Sequence, residues 1–107
     1  MASIGAMGDL LKQAQEMQSR MAKIQEELAN KTVQGSAGGG MVQVSVNGQF
    51  QMTAVRIEPS VVNAAEKEML EDLILAAVND GMRKARELAS SEMSKLTGGL
   101  KIPGLMP

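Results

Sequence analysis

From Met7 the apolar residues fall at Met7, Leu10, Ala14, Met17, Met21, Ile24 and Leu28, separated by 3, 4, 3, 4, 3 and 4 positions. On an α-helix this spacing lines all seven along one stripe, whereas on a strand it scatters them over both faces. The segment therefore reads as a long amphipathic helix carrying an unbroken heptad seam. Gly8-Asp9 is the expected start, with Asp9 favourable at the positive end of the helix dipole. Glu16 with Arg20, and Glu27 with Lys31, are spaced for i,i+4 ion pairs on the wet face.

After Lys31 the period changes. Thr32 to Gly38, small and interrupted by glycine, reads as a weak strand that another backbone can approach closely. Gly38-Gly39-Gly40 breaks it, Met41 to Val46 alternates, and Asn47-Gly48 signals a hairpin returning through Gln49 to Ile57. A two-residue loop sets Val46 opposite Gln49, so that Val42, Val44, Val46, Val55 and Ile57 share the helix-covered face and Phe50 and Met52 take the other. A three-residue loop inverts that pairing; the two-residue form is the one adopted here. Pro59 ends the strand, Asn63 to Glu66 has capping-box spacing, and a second amphipathic helix runs to about Leu96. Within it Ala77, Gly81, Ala85 and Ala89 form a ridge of small residues suited to close helix packing.

The expected fold is α+β: an α-β3-α subunit with a three-stranded antiparallel meander and two long helices. Residues 1–96 form one domain, and 97–107 a flexible Gly/Pro-containing tail. Strands of about 6 residues cover roughly 20 Å, while helices of about 24 and 33 residues span roughly 36 and 50 Å. Neither helix fits on the sheet it covers, so the excess seam calls for a second copy of the chain, and a twofold homodimer is the expected assembly. Leu10, Ala14, Met17, Met21 and Ile24 of the seam, with Ala77 and Gly81 of the ridge, are the expected dimerisation residues. The methionines Met17, Met21, Met82 and Met93 read as packing rather than as a binding groove.

Chemistry is narrowed by what is missing. The 107 residues contain no His, Cys, Trp or Tyr, and Phe50 is the one aromatic. Catalytic Ser-His and Cys-His pairs, zinc clusters and disulfides are thereby excluded, and no enzyme, cofactor or metal is expected. Gly38-Gly39-Gly40 lacks the following Lys-Ser/Thr and helix of a phosphate loop, and Glu68 with Asp72 reads as solvated surface. Without a signal-peptide core or membrane span the expectation is a cytoplasmic protein with no membrane partner and no small-molecule substrate.

Charge is nearly balanced, 11 basic against 12 acidic residues, but it is unevenly placed. Residues 58–80 carry Lys67 against six acids, whereas 81–107 carry five basic residues against two acids. One reading is helix-dipole design alone. The other is that Lys12, Arg20, Lys23, Arg83, Lys84, Arg86 and Lys95 form basic arms that contact nucleic-acid phosphates. Lys84 has Asp80 one turn earlier, while Arg86 has no such partner and is the strongest single candidate. With no aromatic platform for single strands, duplex backbone is the expected target, with little base readout. A protein-interaction module docking a partner through its exposed helix seams is the competing reading.

Several segments together resemble one known family. They are Gln13, Met17-Gln18 and Met21; Gly35-Ser36-Ala37-Gly38-Gly39-Gly40; Val42 and Val44; Asn47-Gly48; Ile57 with Pro59; Met69-Leu70-Glu71-Asp72-Leu73; and Ala76-Ala77-Val78-Asn79-Asp80. From about Met7 to Pro103 the chain resembles the YbaB/EbfC family of bacterial nucleoid-associated proteins. The resemblance implies an intertwined homodimer with protruding helices likened to tweezers, and DNA binding in the nucleoid. It also implies roles in DNA organisation or protection and in gene expression, without catalysis. It carries no compact DNA-contact motif, so the basic residues above rest on charge alone.

Overall fold

Two helices of 29 and 30 residues flank three strands of 6 residues each in the computed structural model, which describes residues 2–96, with side chains from residue 7 onward. The tail expected at 97–107 lies outside the described residues. In chain order the elements are α1 (Ala2–Asn30), β1 (Thr32–Ala37), β2 (Val42–Asn47), β3 (Met52–Ile57) and α2 (Lys67–Leu96). Helix α1 begins ahead of the expected Gly8-Asp9 start, so Asp9 lies inside the helix and not at its positive end.

The strands form an antiparallel meander in the order β1-β2-β3. Helix α2 lies over β1 and β2, on the face made by Val42, Val44 and Val46, which are the largest fully buried side chains. It can approach so closely because two glycines meet where helix and sheet cross. A Cβ at Gly35 would run into the Ala77 carbonyl and the Gly81 backbone, and one at Gly81 would sit 2.9 Å from methyls of both Val44 and Val46. The small-residue ridge is thus used inside the subunit: Ala77 and Ala85 are fully buried, and Gly81 with them. Ala77 and Gly81, expected at a dimer interface, face their own sheet because Gly35 leaves room for them there. The turn from β1 to β2 runs through Gly38, Gly39 and Gly40 at φ of 63°, 67° and 95°, values that side-chain-bearing residues avoid.

The hairpin differs from the expected two-residue loop. Asn47 pairs with Gln51, its N–H donating to the Gln51 carbonyl at 2.9 Å, and three residues lie between. Phe50 N–H closes a turn onto the Asn47 carbonyl at 3.0 Å, and Phe50 itself takes φ of 64°. The Asn47 side chain holds the loop: Oδ1 accepts from the Gln49 and Gln51 amides at 2.9 and 3.0 Å. Gly48 serves a different purpose from the turn residue it resembles. Its N–H donates to the Leu28 carbonyl at 2.8 Å, and the Leu28 side chain covers it, so the hairpin docks on the end of α1.

A three-residue loop should have inverted the faces. A register shift between Ser45 and Val46 restores the faces though not the expected register: Val44 opposes Val55, where the two-residue loop sets it opposite Gln51, and Val42 opposes Ile57. Met52 changes sides: it pairs with Val46 on the valine face. Because α2 lies chiefly over β1 and β2, Val55 remains 53% exposed although it is on the expected face.

Helix α2 is entered through a short 3-10 turn, Ala64–Glu66, capped by Asn63 Oδ1 on the Ala65 amide at 3.0 Å. Helix α1 docks only by its last turns, where Ile24 and Leu28 are buried. The rest of its seam stands in solvent, with Met7 and Leu10 each 64% exposed. The radius of gyration, 20.6 Å, reflects this projection; a compact chain of about 100 residues has a value near 13 Å.

Candidate nucleic-acid interface

The projecting part of α1 has two opposed faces. One is the apolar stripe Met7, Leu10, Ala14, Met17 and Met21, every member of it exposed. Opposite lie Lys12 and Lys23, three turns apart and nearly in line, with Arg20 about a quarter-turn round. All three cations are exposed, and none has an ion pair among the described residues. The expected Glu16–Arg20 pair does not form. Lys31 turns from Glu27 to Glu92 of α2, with Nζ 2.6 Å from Oε1.

That contact anchors the arm. Glu92 is 3% exposed and takes Lys95 on the same oxygen at 3.1 Å, while Oε2 has no partner among the described residues. The hydrogen bond from Lys31, then that from Lys95, hold the Glu92 carboxyl below its ordinary pKa, and Lys31 is raised in turn. Sequence spacing could reveal Lys95 as an i,i+3 neighbour but not Lys31, which is 61 residues away.

The basic residues of α2 divide into engaged and free. Arg83 grips Asp80 at 2.9 Å and Glu87 at 2.8 Å. Lys84 lies 3.2 Å from Asp80 and donates to the Gln34 carbonyl at 3.1 Å. Asp80 also accepts the Ser36 amide at 3.0 Å; that bond first, then Arg83 and Lys84, lowers its pKa to about 2. Lys95 is held by Glu92. Arg86 is exposed and without an ion pair among the described residues, in a shallow groove shared with Arg83, Glu87, Ser90, Ser91 and Ser94. Of the seven cations expected to meet nucleic acid, Lys12, Arg20, Lys23 and Arg86 are therefore free, whereas Arg83, Lys84 and Lys95 are neutralised locally. Arg56, absent from that set, is a further exposed cation, opposite Gln43 across the β2–β3 pair; strand alternation placed it on the face away from the valines.

Exposed cations without ion pairs among the described residues thus stand on both long helices beside a small meander sheet. Residues 4–100 match the model of the YbaB/EbfC DNA-binding family, and the chain belongs to that family. It is 55% identical over 96 residues to Nucleoid-associated protein DP1429 of Desulfotalea psychrophila, covering 90% of this chain and 91% of that protein. It is 52% identical to Nucleoid-associated protein Teth39_2199 of Thermoanaerobacter pseudethanolicus, over 92% of this chain and 89% of that one. Among solved structures the uncharacterized protein HP0035 from Helicobacter pylori superposes with a TM-score of 0.71 at 25% identity, over 85% of this chain and 92% of that one. No helix among the described residues is long and apolar enough to cross a membrane.

Proposed function

We propose that this member of the nucleoid-associated family acts in the cytoplasm as a homodimer that binds duplex DNA through backbone phosphates. Base readout is slight, and the outcome is organisation or protection of the nucleoid with effects on gene expression. The observation that carries this reading is the two-faced arm of α1: Lys12, Arg20 and Lys23, without ion pairs among the described residues, back an apolar seam that those residues leave uncovered. The cations suit phosphate oxygens, and Leu10, Ala14, Met17 and Met21 suit a second chain. Ile24 is already docked in its own subunit and contributes only at the base of the seam.

A salt titration of duplex affinity tests the DNA reading. Each neutralised phosphate adds about −0.9 to the slope of log affinity against log salt. Lys12→Ala, Arg20→Ala, Lys23→Ala and Arg86→Ala should each flatten the slope, whereas Arg83→Ala should leave it near the wild-type value because Asp80 and Glu87 already hold that guanidinium. A wild-type slope near zero, or equal effects from free and engaged cations, contradicts the proposal. Sedimentation of the wild type tests the assembly: a lone subunit at micromolar concentration contradicts it.

A further inference from the structure

The two edges of the sheet are treated differently. On β1 the Ser36 amide donates to Asp80 Oδ2 at 3.0 Å and the Gln34 carbonyl accepts from Lys84 Nζ at 3.1 Å. Gln34 and Ser36 are alternate residues whose backbone groups turn away from β2, so these bonds occupy the donor and acceptor that an added strand would use. Asp80 and Lys84 are also paired with each other at 3.2 Å, and Arg83 holds the second carboxylate oxygen.

On β3 no equivalent cover is present among the described residues. The Glu58 amide donates to Met41, so Glu58, Arg56 and Ala54 face β2, while Val55 and Ile57 turn their backbone groups outward. Met52–Ile57 contains no proline; its one charged residue, Arg56, has backbone groups that face β2, its register shift lies at the hairpin end, and Val55 and Met52 are exposed.

We infer that Asp80 and Lys84 form a plug that denies β1 to the β3 edge of a second copy of this chain. The pairing it prevents is head to tail. One copy's β3 laid on the next copy's β1 leaves a fresh edge at each end, so the contact repeats into an open-ended sheet instead of closing. The plug accounts for two side chains of opposite charge one helical turn apart, each reaching a different backbone group of one strand. It also makes the Lys84 charge part of the scaffold.

The test is light scattering over a concentration series without DNA, on the full chain, with circular dichroism to confirm folding. Asp80→Ala with Lys84→Ala should raise the weight-average mass to at least about twice the wild-type value, and increasingly so with concentration. Adding Val55→Pro, which removes an outward amide from β3, should return the mass toward wild type. Lys84→Ala alone frees only the Gln34 carbonyl and leaves the Ser36–Asp80 bond to hold the fold; it should produce a smaller rise. A folded double variant with unchanged mass, or growth that Val55→Pro does not suppress, overturns the inference.

Discussion

Gly35→Ala tests the crossing of helix and sheet. The added methyl lies 2.6 Å from the Gly81 Cα, where ordinary contact begins at 3.4 Å, and it is closer still to the Ala77 carbonyl and the Gly81 amide. These obstacles are backbone atoms of α2, so no rotamer change relieves them; helix and strand must separate by the better part of an ångström. Separation loosens the contacts of Val42, Val44, Val46, Ala77 and Ala85 together. Overpacking ordinarily costs about 1–3 kcal/mol, and a rigid obstacle places this variant at or above the upper end, about 3 kcal/mol. Gly81→Ala is the internal control. Its methyl meets the methyls of Val44 and Val46 at 2.9 Å and the Gly35 Cα at an ordinary 3.6 Å, and about 1 kcal/mol of helix propensity offsets part of that strain. Urea unfolding at one fixed protein concentration should place Gly81→Ala below wild type and Gly35→Ala clearly below Gly81→Ala. Equal destabilisation of the two variants would refute the claim that backbone contact sets the helix–sheet distance.

Three further outcomes are expected. The Asp80 carboxyl, at about 2 in the fold against about 3.9 in an unfolded chain, contributes stability above pH 4 that is lost as pH falls from about 4 toward 2. Asp80→Asn should therefore be less stable than wild type at neutral pH and should flatten the acid limb of a stability–pH curve; an unchanged limb assigns the loss to other groups. Phe50→Asn places a residue tolerant of positive φ at the loop position with φ of 64°, and should raise stability by up to about 1 kcal/mol in thermal melts, with a loss pointing instead to packing by the ring. Glu92→Ala releases Lys31 and should speed amide hydrogen exchange over Ala22 to Asn30; exchange unchanged there would show that Ile24 and Leu28 alone hold the arm.

Much of the architecture was legible because it rests on period and punctuation. The 3,4 spacing from Met7 to Leu28, the alternation of β2, the glycine run before it and Pro59 after β3 each act locally, and each appears in the fold where expected. Asn47-Gly48 misled for a physical reason: its Asn bonds the loop amides and its Gly admits Leu28, uses indistinguishable in sequence from the tight turn that favours the same pair. The candidate interface was half legible. Arg86 stood out as unpaired, but the fate of Arg83, Lys84 and Lys95 depended on how their acidic neighbours and β1 are arranged.

By itself, the sequence determined two amphipathic helices longer than the sheet between them, the order of the strands, and the lack of any His, Cys, Trp or Tyr side chain. These follow from neighbours along the chain, whose geometry repeats every turn or every second residue. Only the tertiary structure decided that Gly35 and Gly81 meet, that Lys31 finds Glu92, that a bulge restores the faces, and that Asp80 and Lys84 close one edge while β3 stays open. Those outcomes join residues tens of positions apart, and which of them come within hydrogen-bond reach is settled by how closely one helix can lie on one strand.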